Sequence, residues 1–382
     1  MRLKSTTLHF LVAVTLLSMI FMTGCSTSAK RPLLSPLKPG VGIAEIFNPN
    51  QFPDFRDDYN KDTLLRSIDN SIEYFERVKD YPDIFRSLGF TREKQIETLS
   101  FFRTRLLNSH SSQDLNEFIR NNFRVFQAIG KRYEGKVLFT GYGTPIYDGS
   151  LFPTETFRYP LYKKPADFKK PYYTRRVIEE QDLLRGYEIG YLKSKLDAYL
   201  IHVQGSGQLR LPSGEMAYVG YSADSGHEYT SIGRLLVLDG KIKEEELTLS
   251  TLLSFFEQHP DELDYYLKRN DRFIFFKKVD NAIPTGSIGA PVTSMRSIAT
   301  DKVVFPPGGL AFAVIEKKVS KRFGWFKKKG QVDRSLFALD QDTGSAIKTP
   351  ARADVYFGIG DEAMLNAGNL NTYGKLFYLL KR

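Results

Sequence analysis

The sequence predicts a mainly β protein with some α-helix, and three observations carry that reading. The 382 residues include 29 Gly, 18 Pro, 21 Tyr and 29 Phe; aromatic side chains suit pleated surfaces, and Gly and Pro punctuate them. Short apolar or aromatic runs bounded by Gly and Pro recur from Val137 onward, the pattern of strands and turns. A sustained helical period is concentrated between Asp62 and Ile129. A chain of this length, 42% apolar, suggests about two domains with ample material for a core.

At the amino terminus, Arg2 and Lys4 precede an apolar run from Phe10 to Met22, and Thr23 and Gly24 lead into Cys25. The run is shorter than the roughly 20 residues of a membrane-spanning helix, so it reads as an export signal. Met22-Thr23-Gly24-Cys25 resembles a bacterial lipobox, which implies a signal peptide over 1–24, lipidation of Cys25 and anchoring in lipid. Ser26 is similar to the outer-membrane sorting pattern, so the expected location is the periplasmic side of the bacterial outer membrane. Cys25 is the only cysteine, which excludes an intramolecular disulfide. Residues 25–40 are small, basic and proline-bearing, as a tether would be, and the folded body is expected from Val41. The net charge of +10 suits an anionic partner. No basic segment is long or aromatic-interleaved enough for a nucleic-acid groove, which argues against nucleic acid.

Leu64, Leu65, Ile68, Ile72 and Phe75 repeat at three and four, followed by Ile96, Leu99 and Phe102, then Leu115, Phe118 and Ile119. These stripes predict three core-packing helices, with Thr91 and Ser111 as N-caps of the second and third. Val137 to Thr140 predicts a strand, and Gly141-Tyr142-Gly143-Thr144-Pro145 a turn of close backbone approach. Phe157 to Pro165 alternates aromatics with prolines, as an edge strand does. Ala198 to Gly207 reads as a strand and a glycine-rich bend, and Gln208 to Leu211 as the start of a hairpin. Ser231 to Asp239 and Leu247 to Gln258 read as helices, and Arg272 to Lys278 as a strand.

The chemistry concentrates in 338–358, where Asp340, Asp342 and Asp354 stand among strand residues in a strand, glycine turn, strand pattern. Alternation sends some of these carboxylates inward, where each must be paired, hydrogen-bonded or protonated. Those states equip a carboxyl group for acid/base work near neutral pH. Gln204-Gly205-Ser206-Gly207 lacks the Lys-Ser/Thr of a phosphate loop, and suits either a tight bend or a sugar-binding wall. With five His and one Cys there is no credible metal constellation, and no cofactor is expected. Ser206 lacks the elbow pattern of a nucleophilic serine.

Phe139-Thr140-Gly141-Tyr142, His202-Val203-Gln204-Gly205-Ser206-Gly207, Tyr229-Thr230-Ser231-Ile232-Gly233, Phe275-Phe276-Lys277, Pro306-Pro307-Gly308, Asp342-Thr343-Gly344-Ser345-Ala346-Ile347-Lys348 and Asp354-Val355-Tyr356-Phe357-Gly358 occur in this order. In that order they resemble the membrane-bound lytic murein transglycosylase A family over nearly all of the mature chain, and the C-terminal part resembles the three-aspartate (3D) domain. The resemblance implies a double-psi β-barrel domain interrupted by a smaller inserted β-barrel domain, with glycan in the groove between them. It places the barrel in residues 41–146, helices included, and 276–382, and the insert in 147–275.

The resemblance further implies cleavage of the β-1,4 bond between N-acetylmuramic acid and N-acetylglucosamine in peptidoglycan, with 1,6-anhydro products. By motif position the catalytic acid/base falls on Asp354, with Asp342 and Asp301 in support. Glycan contacts fall on Thr140, Tyr142, Gln204, Gly205, Ser206 and Lys348. Peptidoglycan glycan strands and outer-membrane lipid are the expected partners, with a cell-wall remodelling complex as a further setting. Two departures stand out: Gly143 occupies a place where a second Tyr is usual, and Ser345 replaces a Gly. A hydrolase in the same groove, a non-catalytic wall-binding lipoprotein, and a peptidase suggested by Asp342-Thr343-Gly344 are the alternatives. The basic excursion 317–329, carrying Trp325, reads as a variable hairpin.

Overall fold

A computed structural model describes residues 34–382 apart from 58, 110 and 317–331. Cys25 and the basic excursion with Trp325 lie outside the described residues. Among the described residues packing is already present at Leu34, ahead of Val41: the Leu34 amide donates to the Tyr133 carbonyl at 2.8 Å. The first strand, β1, spans Ile43–Ile46. Four helices follow: α1 Lys61–Arg77, α2 Asp83–Arg86, α3 Arg92–Asn108 and α4 Ser112–Asn122. Thr91 and Ser111 cap α3 and α4 as expected, each hydroxyl accepting from the amide three residues on.

Two sheets form the rest. The first takes β2 Phe123–Ala128 and β3 Val137–Thr144, then, after a long excursion, β10 Ser297–Ala299, β11 Leu310–Glu316, β12 Val332–Asp342, β13 Arg352–Ile359 and β14 Asn371–Lys381. Six of these strands close on themselves in the order β14-β11-β12-β10-β13-β3, with β3 pairing back onto β14. The closed ring of six strands fits the expected barrel, with β2 and β1 extending from β14. Leu310, Ala311, Phe312 and Ala313 are all fully buried, so β11 is covered on both faces. Phe312 and Phe337 pack at 4.7 Å between ring centroids, Phe55 meets Phe312 at 5.1 Å and Phe102 of α3 meets Phe337 at 5.0 Å. Each fully buried Phe contributes roughly 1.5–3 kcal/mol by leaving water.

The second sheet is built from the excursion: β4 Ile146–Ser150, β5 Tyr159–Tyr162, β6 Glu188–Leu192, β7 Ser206–Arg210, β8 Met216–Asp224 and β9 Ile274–Val279, in the order β5-β6-β4-β7-β8-β9. Its outer strands approach each other through a bridge between Lys163 and Phe276. Helices α5 Arg175–Glu180, α6 Lys195–Gln204, α7 Ile232–Leu238, α8 Leu249–Gln258 and α9 Leu263–Lys268 belong to the same excursion. A last helix, α10 Asp361–Asn369, joins β13 to β14.

Three expectations change. Ala198 to Gln204 is not a strand but most of α6, which Ser194 caps and Gly205 ends with φ 78°. Its buried residues run without a gap from Ala198 to His202, so no polar face marks the helical period. The glycine stretch after Thr140 is not a turn, since β3 continues to Thr144. The close approach expected there is real: a Cβ on Gly141 would lie 2.5 Å from the Ala367 Cα of α10. The last strand of the second sheet runs to Val279, past residue 275.

Candidate active site

Alternation along β13 and β3 divides their residues between two faces. Ala353 and Val355 are fully buried, as are Val137 and Phe139. Arg352, Asp354 and Tyr356 therefore share the opposite face with Leu138, Thr140, Tyr142 and Thr144, because parallel pairing aligns Arg352 with Leu138, Asp354 with Thr140 and Tyr356 with Tyr142. On the other side of β13, Asp354 is paired with Ala299, and Ala299 with Asp342. Asp342, Ala299, Asp354 and Thr140 thus form one row across four strands, with a small residue between the two aspartates.

A bulge makes this row. Ile298 pairs with Asp340 but Ala299 pairs with Asp342, so Gln341 is passed over. An extra residue in a strand re-aims the side chains beyond it. Asp340 is fully buried; it accepts from Thr300 Oγ1 at 2.7 and 2.9 Å, from the Tyr378 hydroxyl at 2.7 Å and from Lys302 Nζ. Burial pushes its carboxyl up from the usual range, with Lys302 opposing. This is the inward carboxylate that alternation required, and it serves the barrel rather than the row.

The two aspartates of the row are held differently. Asp342 accepts from two backbone amides, Ser287 at 2.9 Å and Thr343 at 2.8 Å, and from the Tyr142 hydroxyl at 2.9 Å. The residue keeps some solvent contact, yet its carboxyl is enclosed, and burial pushes it up against those hydrogen bonds. Burial, then Asp342, push the Tyr142 phenol well above its usual range. Its ring packs on Tyr356 at 5.2 Å.

Among the described residues, Asp354 is held by side chains alone. Thr140 Oγ1 donates to its Oδ1 at 2.5 Å, Arg352 Nε to Oδ1 at 2.9 Å and an Arg352 terminal nitrogen to Oδ2 at 3.0 Å. That nitrogen also donates to Thr140 Oγ1 at 3.1 Å. Burial works against the Arg352 cation, but Asp354 outweighs it and raises its pKa.

The second sheet docks beside this row. Gln204 Oε1 accepts from the Gly143 amide at 3.2 Å, while Thr144 Oγ1 lies 3.4 Å from Ser206 Oγ and 3.1 Å from the Tyr356 hydroxyl. Gln204, Gly205 and Ser206 therefore sit at the seam between the sheets. Asp301 lies apart from the row: its carboxylate accepts the Val303 amide at 3.1 Å, a turn contact, and among the described residues it bonds to neither Asp342 nor Asp354. Lys348 is exposed on the loop between β12 and β13. His202 is a core residue, its Nδ1 accepting from the Ile274 amide at 3.1 Å and lying 3.2 Å from an Arg175 nitrogen.

Sequence reasoning missed Arg352, although its signal was present: two residues before Asp354 on a strand, it had to share that carboxylate's face.

A closed barrel, a second sheet docked on its seam and a row of carboxylates beside that seam define a two-sheet β protein with an aspartate-centred site. Residues 138–277 match the MltA specific insert domain, and residues 296–380 match the 3D domain. The membrane-bound lytic murein transglycosylase A of Escherichia coli K12 is 32% identical over 257 residues, covering 67% of this chain and 68% of that protein. The homolog from Buchnera aphidicola of Schizaphis graminum is 28% identical over 340 residues, covering 87% of this chain and 90% of its own. The chain belongs to the membrane-bound lytic murein transglycosylase A family. The solved structure of E. coli MltA with bound chitohexaose is similar at a TM-score of 0.74 and 25% identity, covering 92% of this chain and 96% of that one. A membrane-bound lytic murein transglycosylase from Agrobacterium tumefaciens is similar at a TM-score of 0.71 and 26% identity, covering 89% and 98%.

Proposed function

We propose that this protein is a peptidoglycan lytic transglycosylase, a lyase, that cuts the β-1,4 bond after N-acetylmuramic acid with Asp354 as its single acid/base. The carrying observation is the contrast within the row. Backbone amides pin Asp342, whereas among the described residues only side chains hold Asp354. A carboxyl group that exchanges its hydrogen-bond partners through a reaction needs the second arrangement.

The chemistry asks for one such group. As an acid, Asp354 gives its proton to the glycosidic oxygen while the C1–O bond breaks. As a carboxylate, it takes the proton of the muramic 6-hydroxyl, whose oxygen bonds to C1 and closes the 1,6-anhydro ring. A hydrolase needs a second working carboxylate; here the nucleophile comes with the substrate, and its placement supplies the advantage. Asp342 keeps Tyr142 oriented beside the row, and Thr140 fixes Oδ1. Gln204, Gly205, Ser206 and Lys348 remain our candidates for glycan contacts, and Asp301 for a turn that shapes the barrel mouth. The chitohexaose complex of the E. coli relative supports a glycan in the groove.

Asp354→Asn tests the assignment. It keeps the shape and removes the transferable proton, so turnover of purified peptidoglycan falls by about 10²- to 10⁴-fold while the protein still sediments with the polymer. An active Asp354→Asn variant removes Asp354 from the role.

A further inference from the structure

Among the described residues, each side chain hydrogen-bonded to the Asp354 carboxylate donates to it. Arg352 presents a fork, Nε to Oδ1 and a terminal nitrogen to Oδ2, the geometry that fits a carboxylate anion. Thr140 adds a second strong donor to Oδ1. A protonated carboxyl carries an O–H that needs an acceptor instead, and the Thr140 hydroxyl spends its one proton on Oδ1 and one of its two lone pairs on Arg352. The fork and the acid form therefore compete at one oxygen. Oδ1 holds two donors and Oδ2 one, so Oδ2 is the oxygen that can carry the transferable proton. Arg352 alone occupies it among the described residues.

Arg352 also has a neighbour across the seam. Its charge acts on the phenol of Tyr229, in the segment leading into α7. The side chain of Arg352 is 31% exposed, against 13% for Asp354, which leaves it room to turn.

We propose that Arg352 is a positioning residue that guards Oδ2 of Asp354, releasing it to the glycan and closing again on the carboxylate after proton donation. This rests on the reading of Asp354 as the acid. The balance is simple. The Oδ2–H bond breaks as the glycosidic oxygen takes the proton, and the C1–O electron pair leaves with that oxygen. The fork then closes on the new carboxylate, and reopens as Oδ2 receives the 6-hydroxyl proton and the C1–O6 bond forms.

The test is kcat and KM on purified peptidoglycan for wild type, Arg352→Gln, Arg352→Lys and Asp354→Asn, each checked by thermal melting. Arg352→Gln removes the fork from both carboxylate oxygens, so kcat should fall by up to about 10²-fold, as for a misplaced catalytic group, with KM little changed. Arg352→Lys keeps the charge and loses the fork, so it should not restore kcat. A folded Arg352→Gln enzyme with wild-type kcat, or one whose loss lies in KM alone, overturns the proposal. If the Gln variant does not fold, wild-type kcat in Arg352→Lys overturns it. An inactive Asp354→Asn alongside wild-type kcat in Arg352→Gln fails Arg352 only; an active Asp354→Asn fails the acid itself.

Discussion

Asp342 and Asp354 occupy one row, yet their partners give them different duties, and the difference has a pH signature. Burial raises the carboxyl groups of Asp342 and Asp340 above the unfolded value of about 3.9. Between that value and their folded values, the folded chain keeps protons that the unfolded chain has lost. Their contribution to stability is therefore complete below about pH 3.9 and is lost as pH rises through the raised folded values. Asp342→Asn removes its share of that loss, so melting temperature should decline less steeply than wild type between about pH 4 and neutrality. Parallel curves would contradict the enclosed state of this carboxyl. Turnover should also fall, because Tyr142 loses its anionic partner. The aspartates themselves were legible, since carboxylates between apolar strand residues cannot all be solvated. Which of them faced inward was not, because a bulge decides it and leaves no mark in the alternation of 338–342. Nor did motif order reveal that, among the described residues, the Asp301 carboxylate accepts a hydrogen bond only within its own turn.

Elements defined by periodicity were read well, and those defined by packing were not. Helices α1, α3 and α4 carry polar faces, and the hydroxyls of Thr91 and Ser111 cap α3 and α4, so the period and those two starts were visible. Helix α6 is buried nearly all round, and a continuous apolar run reads equally as strand. Ser194 and Gly205, its caps, were the available signals. Strand β3 was cut short because Gly141 and Gly143 look like a turn. Their purpose is to let α10 lie against the strand, with Gly143 also within 3.2 Å of the Met364 sulfur were a Cβ added. Gly141→Ala should therefore push α10 off β3 and destabilise the protein by about 1–3 kcal/mol, as overpacking does. Chemical denaturation measures this. An unchanged midpoint would mean that the helix yields freely and that the contact does not set the strand's path.

For the whole molecule, the resemblance made the closed barrel and the second sheet foreseeable, and the strand order bears out a barrel interrupted by an excursion. Composition alone reached only the mainly β class, since closure depends on β3 pairing with both β13 and β14, partners more than 200 residues away in sequence. Whether residues 147–275 fold as an independent unit is our proposal. So is the anchor: Cys25→Ala should move the protein from the membrane to the soluble fraction, and unchanged membrane retention would reject lipidation of that residue. Among the described residues no helix is long and apolar enough to cross a membrane.

If one carboxyl group cleaves the glycan without water, purified peptidoglycan digested in ¹⁸O water should release 1,6-anhydromuramic ends that carry no solvent oxygen when read by mass spectrometry. Reducing ends labelled with ¹⁸O would make the enzyme a hydrolase.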